Sequence, residues 1–138
     1  MHVAAHLNFS GNCEEAFRYY EKHLGGQILA MVPHEGTPAA EGVSAEWRGK
    51  IIHARMRIGS SEILGADSPA GRYEKPKGFS VTLLTESVGE ADRAFASLAD
   101  GGTIQMPIGQ TFFSKRFGVV TDRFGIPWMV NCDQPVSS

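Results

Sequence analysis

Apolar and polar side chains alternate at the start of the chain, and this pattern predicts a β-strand from Val3 to Phe9. Leu7 and Phe9 fall on one face of that strand, while His6 and Asn8 fall on the other. The strand therefore has an apolar side suited to a core and a polar side that can carry chemistry.

The next segment has the apolar periodicity of an α-helix. Asn12 is its predicted N-cap, Glu15 lies at position N3, and Gly25-Gly26 is expected to end it. The second half repeats this order, because a second alternating segment precedes Ser87 as N-cap and Glu90 at N3. Asn12 and Ser87 are 75 positions apart, and so are Glu15 and Glu90. The constant offset indicates an internal repeat of strand, capped helix and glycine stop.

Three further strand segments are predicted after the helix in each half. They are Gln27–Val32, Glu46–Ile58 (one long strand or a strand pair) and Glu62–Ala66, and then Thr103–Pro107, Thr111–Thr121 and Trp128–Cys132. The pattern predicts an α+β fold built from two βαβββ modules in a single domain. Module 1 is expected at about residues 1–67 and module 2 at about 78–138, with residues 68–77 as a Pro- and Gly-containing linker.

Two connecting segments have predicted roles. The loop Pro33–Ser44, rich in Gly, Pro, Ala and Glu, is a candidate lid and the internal segment expected to move most. In the last turn, Asp122 is expected to accept backbone N–H groups and Gly125 to adopt a positive φ. The closing strand must then pair with a sheet that the rest of the chain supplies.

One helix over four strands covers only one face of a sheet, so each module is expected to have a second face without a helix. Two such faces, within one chain or across a dimer, can close into a curved β-cup that holds a pocket. Strand alternation assigns nine side chains to these inward faces: His6, Asn8, His53, Arg55, Arg57, Ser80, Thr82, Met129 and Asn131.

Several of these residues have both a functional and a structural interpretation. His6 can serve as a metal ligand or general base, or as a metal-free, hydrogen-bonded histidine. Arg55 and Arg57 can clamp a carboxylate or phosphate, or lie on a solvated sheet rim, and His53 can bind ligand or be half buried. Three aromatic residues with two polar neighbours can wall a pocket or belong to the core: Phe112, Phe113, Phe117, Gln110 and Lys115.

Composition narrows the function classes further. With 42% hydrophobic and 20% charged residues and a net charge of -2, the 138-residue chain has no basic stripe for nucleic acid. Its apolar runs are too short for a membrane span and it has no signal-peptide pattern, so a cytoplasmic protein is expected. Cys13 and Cys132 form no metal-binding spacing and are expected to be reduced thiols.

The chain resembles the vicinal oxygen chelate superfamily of glyoxalases, bleomycin-resistance proteins and extradiol dioxygenases, and most of all its PhnB-like branch. The matching stretches are Asn8–Ala16, Ile52–Arg55, Met106–Ile108 through Thr111–Phe113, and Arg116–Gly118 through Asn131–Cys132. The resemblance implies the glyoxalase/bleomycin resistance/dihydroxybiphenyl dioxygenase fold, a homodimer and a cup that often binds a divalent metal.

The metal ligands of the superfamily are only partly kept. By resemblance, the four ligand positions fall on His6, on or near Leu64 with Glu62 on the same face, on Ser80 and on Met129. Only His6 is a ligand type, and a catalytic metal needs about three protein ligands. No cofactor is therefore expected, with a divalent metal held by His6 and Glu62 as the alternative. A methyltransferase activity is rejected because no glycine-rich nucleotide loop follows a strand.

The leading hypothesis is a homodimeric, PhnB-like protein that binds a small molecule, with an anion as one option, in a metal-free β-cup. Its predicted ligand-binding residues are His6, Asn8, His53, Arg55, Ser80, Gln110, Phe112 and Met129. The rival hypothesis is a metal-dependent lyase, isomerase or dioxygenase, with His6 and Glu62 as candidate catalytic residues. A third interpretation is a purely structural dimer whose cup is filled by its own side chains.

Overall fold

The computed structural model describes residues 1–69 and 71–132 and divides into two compact units, Met1–Glu74 and a second that begins at Lys75. The first unit contains β1 (Ala5–Phe9), α1 (Cys13–His23), β2 (Gln27–Pro33), β3 (Ile51–Ile58) and β4 (Ser61–Asp67). The second contains β5 (Val81–Thr85), α2 (Val88–Ala99), β6 (Thr103–Gly109), β7 (Phe117–Thr121) and β8 (Pro127–Cys132). Residue 70 of the predicted linker and residues 133–138 of the predicted second module lie outside the described residues.

Each unit has one four-stranded sheet with the same connectivity. The strand order is β1-β4-β3-β2 in the first unit and β5-β8-β7-β6 in the second. In both sheets the first and last strands of the unit pair in parallel, and the other neighbours are antiparallel. The predicted α+β fold of two βαβββ modules is confirmed.

A glycine on each sheet allows the helix of that unit to pack closely. A Cβ atom on Gly65 of β4 would lie 2.7 Å from the ring of Phe17 in α1, and one on Gly118 of β7 would lie 2.6 Å from the ring of Phe95 in α2. These rings are buried, as is Trp128 on the same face of the second sheet. Each helix therefore covers one face of its sheet, and we call the opposite side the helix-free face.

The last turn has the predicted construction. Gly125 has a φ of 89°. Asp122 accepts hydrogen bonds from Phe124 N (2.9 Å) and Ile126 N (3.0 Å) through Oδ1, and from Trp128 Nε1 (2.8 Å) through Oδ2. One buried carboxylate thus holds both the turn and the indole of the closing strand.

The two helices begin as predicted, but only one uses its N-cap side chain. Ser87 Oγ accepts a hydrogen bond from Glu90 N at 3.1 Å. The prediction of a capping side chain at Asn12 is wrong, because Asn12 makes no side-chain capping bond. Asp67, at the end of β4, takes that role: its Oδ1 accepts hydrogen bonds from Gly11 N (3.0 Å) and Cys13 N (2.9 Å).

Three strand boundaries differ from the prediction. The segment predicted as strand from Glu46 contains a 3₁₀ turn at Ala45–Trp47, and β3 starts only at Ile51. The segment Thr111–Arg116 is not part of β7. A local turn forms there, since Thr111 N donates to Ser114 O at 2.9 Å. Ser80 precedes β5 and does not belong to it.

The candidate lid is attached to β3 at its base. His34 is buried, and both its backbone N–H (2.9 Å) and its ring Nδ1 (2.8 Å) bond the carbonyl oxygen of Lys50. A 3₁₀ turn, Pro38–Gly42, follows Thr37, whose hydroxyl accepts a hydrogen bond from Ala39 N. The mobility of this loop stays a prediction.

Two simpler features complete the fold. Within residues 1–69 and 71–132, neither helix combines the length and the apolar character that a membrane span requires. Cys13 and Cys132 are buried free thiols. Burial raises the pKa of the Cys13 thiol from 9.0 to about 12, with a further contribution from the carboxylates of Asp67 and Glu14.

Candidate functional site

The first sheet brings four predicted ligand-binding residues to its helix-free face. In the register of the strands, His6 on β1 pairs with Leu64 on β4, which pairs in turn with Arg55 on β3. Asn8 lies two residues further along β1, and His53 lies on the same side of β3 as Arg55. All four polar side chains are exposed, so this face is accessible within its own unit.

The charges of this face are unequal. Arg55 Nε forms an ion pair with Glu62 Oε1, and Glu62 is the cross-strand neighbour of Arg57. Arg57 is exposed and forms no ion pair with any of the described residues. This face therefore carries two guanidinium groups and one carboxylate, which leaves one uncompensated positive charge before the histidines are considered.

The sheet registers identify the counterpart of His6 in the second unit. Phe9 pairs with Asp67 at the end of β1, and Thr85 pairs with Cys132 at the end of β5, so equivalent strand positions differ by 85 − 9 = 76. His6 therefore corresponds to Thr82, whereas the superfamily resemblance assigned Ser80 to that place. Met129 pairs with Thr82 and corresponds to Leu64, as the resemblance implied.

The helix-free face of the second sheet is apolar around one amide. Asn131 on β8 has Leu84 of β5 on one side and Phe117 of β7 on the other. Of the predicted ligand-binding residues, Met129 is half buried on this face, and Gln110 and Phe112 are exposed on the segment between β6 and β7.

The donor set does not fit a catalytic metal. Leu64, the direct neighbour of His6, has no donor atom, and the Glu62 carboxylate is already bound to Arg55. Across the described part of the chain, no three His, Cys, Asp or Glu side chains are close enough together to hold a metal ion. A site with three protein ligands is the usual minimum for catalytic zinc.

Sequence reasoning missed Asp67, the residue that positions this face. Besides the two N–H groups at the start of α1, it accepts Ile51 N at 2.8 Å, so it holds the beginning of β3 to the end of β4. The sequence signal for this role is an aspartate at the carboxyl end of a strand. Its meaning depends on the parallel pairing of that strand with β1, which only the tertiary structure shows.

The protein comparisons agree with this architecture. The family model described as Glyoxalase/Bleomycin resistance protein/Dioxygenase superfamily matches residues 2–130. Protein YjdN of Escherichia coli (strain K12) is 35% identical over 139 residues, which cover 95% of each chain.

Two solved structures are similar over nearly the whole chain. Protein PA1353 from Pseudomonas aeruginosa has 46% identity and a TM-score of 0.88, with 97% of this chain and 98% of that chain covered. A Bacillus cereus PhnB protein, described as a putative 3-demethylubiquinone-9 3-methyltransferase, has 26% identity and a TM-score of 0.80, with 96% and 99% covered.

Proposed function

We propose that this chain, which belongs to the glyoxalase/bleomycin resistance protein/dioxygenase superfamily and is PhnB-like within it, binds a small anionic molecule on the helix-free face of its first sheet. The proposed binding residues are His6, Asn8, His53 and Arg55, the four predicted from the sequence, together with Arg57. The proposed function is binding without a catalytic metal.

The observation that supports this proposal is that Arg57 is exposed beside Arg55, which already pairs with Glu62, the one carboxylate that the described strands place on this face. A guanidinium group presents a planar fork of N–H donors that matches a carboxylate or phosphate. An anion bound to Arg57 also lies near Arg55, two positions away on the same strand face. His53 and His6 add N–H donors along the same face.

The Glu62–Arg55 ion pair gives the face a defined resting arrangement. It pairs Arg55 with Glu62 in the free protein and leaves Arg57 without an ion pair among the described residues. The Glu62–Arg55 ion pair is accessible to solvent, and such pairs contribute little free energy. A doubly charged anion can therefore compete with Glu62 for Arg55 at small free-energy cost. We therefore expect dianions to bind more tightly than monoanions.

The proposal includes neither metal-dependent chemistry nor methyl transfer. The donor atoms beside His6 do not fit a catalytic metal, for the reasons given above. The connection between β1 and α1, Ser10–Asn12, has a single glycine and lacks the glycine-rich loop that binds a nucleotide. The methyltransferase description of the Bacillus relative is therefore not transferred to this chain.

The test is a titration of the ¹⁵N-labelled protein with inorganic phosphate, sulfate and acetate, followed through the Arg side-chain Nε–H signals. We expect saturable shifts at Arg57 and Arg55, and an Arg57→Gln variant that binds phosphate about tenfold more weakly. Arg93→Gln, which removes an exposed arginine from α2, is the matched control and should bind like the wild type. Equal weakening by both variants, or no saturable shift with any anion, would reject the proposal.

We also propose that the chain forms a homodimer, as its superfamily resemblance implies. Light scattering on a size-exclusion column should then give twice the mass of one chain, independent of phosphate. A monomer mass over the whole concentration range would contradict the dimer and leave the anion proposal standing.

A further inference from the structure

The connection between β2 and β3, residues 34–50, contacts the segment that leads from β1 into α1. Lys50 Nζ donates a hydrogen bond to Gly11 O at 2.9 Å. A Cβ atom on Gly11 would lie 3.5 Å from Lys50 Cε and 3.6 Å from Trp47 Cη2, so both side chains pack over this glycine. The end of the β2–β3 connection is therefore fastened to the start of α1.

Two polar side-chain atoms at this contact lack hydrogen-bond partners. Asn12 Oδ1, one residue from Gly11, is a buried acceptor that receives no hydrogen bond from any described residue. Trp47 Nε1 is a buried donor, and no acceptor for it lies within the described part of the chain. Each atom is unfavourable while it is unpaired, because burial has removed it from water. A hydrogen bond between this donor and this acceptor would satisfy both.

Asn12 is available for such a bond because the start of α1 does not use its side chain. Asp67 accepts the hydrogen bonds from Gly11 N and Cys13 N instead. Trp47 meets Gly11 through Cη2, which belongs to the six-membered ring, whereas Nε1 belongs to the five-membered ring. A change in the side-chain torsions of Trp47 is therefore needed to bring Nε1 to Asn12 Oδ1.

The position of Trp47 is coupled to the candidate lid by backbone hydrogen bonds. Trp47 N donates to Ser44 O, in the last residue of the lid, at 3.0 Å. At the other end of the lid, Glu35 N donates to Arg48 O at 2.8 Å. The two ends of the lid thus meet beside Trp47, so a movement of this residue displaces the lid as well.

We propose that Trp47 and Asn12 form a latch for the candidate lid. In a second, latched conformation, Trp47 Nε1–H donates to Asn12 Oδ1 and holds the lid down; in the conformation described above, this bond is open. The latched conformation pairs two atoms that are otherwise unpaired, so it is populated beside the open one. The latch goes beyond the proposed anion site and uses none of its residues, so each can fail without the other.

The first test uses the indole Nε1–H signals of the ¹⁵N-labelled full chain, which has two tryptophans. Trp128 Nε1 donates to Asp122 Oδ2 at 2.8 Å and is the internal control. We expect a nuclear Overhauser contact between Trp47 Nε1–H and the side-chain amide of Asn12 in the wild type. Asn12→Leu should speed the exchange of Trp47 Nε1–H with solvent about fivefold and leave that of Trp128 unchanged.

The second test follows hydrogen exchange at Thr37 and Ala40, whose backbone N–H groups form hydrogen bonds within the lid. Asn12→Leu and Trp47→Phe, which keeps an aromatic ring without the N–H, should each speed this exchange about fivefold. The double variant should exchange no faster than either single variant, because all three lose the same hydrogen bond.

Two further variants are the controls for the lid measurement. Asn12→Asp keeps an acceptor oxygen at the latch, so its lid should exchange like that of the wild type. Asn131→Leu removes another buried and unpaired amide oxygen, in the second unit, and should leave both Trp47 and the lid unchanged.

Three outcomes would overturn the proposal. The first is the absence of the contact between Trp47 Nε1–H and the Asn12 amide in the wild type, a measurement that needs no variant. The second is additive acceleration in the double variant. The third is a long-lived water at Trp47 Nε1–H that persists in Asn12→Leu, which would show that solvent satisfies this donor. The anion titration at Arg57 is independent of all three.

Discussion

The buried carboxylate of Asp122 accepts hydrogen bonds from three donors of the last hairpin. The carboxylate of Asp67 accepts hydrogen bonds from three backbone N–H groups of the first unit. Hydrogen bonds to a charged acceptor are stronger than those between neutral groups. At each place the alternative is a set of buried N–H groups without partners, so the two aspartates matter more to the fold than exposed ion pairs such as Arg18–Glu14.

Asp122→Ala should lower the free energy of unfolding by about 3–5 kcal/mol, because it leaves Phe124 N, Ile126 N and Trp128 Nε1 without this acceptor. Urea unfolding followed by Trp fluorescence measures the loss. Asp122→Asn keeps one acceptor oxygen and should lose less. A change below about 0.5 kcal/mol in the alanine variant would show that water replaces the carboxylate.

The raised pKa of Cys13 predicts a loss of stability in alkali. From pH 9 to about 12 the unfolded chain loses the thiol proton while the native chain keeps it, so unfolding is favoured as pH rises. The free energy of unfolding should fall by about 1 kcal/mol between pH 8 and pH 10 from this group. Cys13→Ala should show a smaller fall over the same range, and identical pH slopes in the two proteins would contradict the prediction.

At the scale of elements, the contact between helix and sheet depends on residues far apart in sequence. Gly65 and Phe17 are individually unremarkable in the sequence, since a glycine in a strand suggests only a bulge or a close approach. The helical stripe and the strand alternation predicted which faces meet. They did not predict that the ring of Phe17 would need the space above Gly65, because that depends on where the helix crosses the sheet.

Gly65→Ala should destabilise the protein by about 1–3 kcal/mol, because the new methyl group would lie 2.7 Å from the buried Phe17 ring. The double variant Gly65→Ala/Phe17→Leu should recover part of this loss by removing ring atoms at the contact. Gly109→Ala is the control, since a Cβ there meets no atom within 4 Å. Thermal and urea unfolding measure all three, and equal losses at the two glycines would contradict the packing argument.

At the scale of the whole molecule, the two units share connectivity but differ in the chemistry of their sheets. The repeat was visible in the sequence because N-caps, helical stripes and glycine stops depend on local residues. The charge difference between the helix-free faces became clear only when the registers showed which residues are equivalent, as with His6 and Thr82. Proteins built from repeats can thus keep one copy polar and the other apolar.

Trypsin should make its first cut in the connection between β4 and β5, after Arg72 or Lys77. Both side chains are exposed within residues 71–80, which contain neither helix nor strand, whereas Lys75 is protected by the following Pro76. Mass spectrometry of brief digests identifies the cut. The double variant Arg72→Gln/Lys77→Gln should lose the early fragments, and a first cut after Arg48, which follows the candidate lid, would contradict the prediction.

The sequence by itself determined the repeat, the helix starts, the faces of the strands and the last turn, because each depends on neighbours within a few residues. Only the tertiary structure decided that Asp67 rather than Asn12 caps α1, that Glu62 pairs with Arg55, and that Asn131 lies between Leu84 and Phe117. These contacts depend on strand order and register. Strand order and register are determined by the packing of the whole chain, so no single local pattern predicts them.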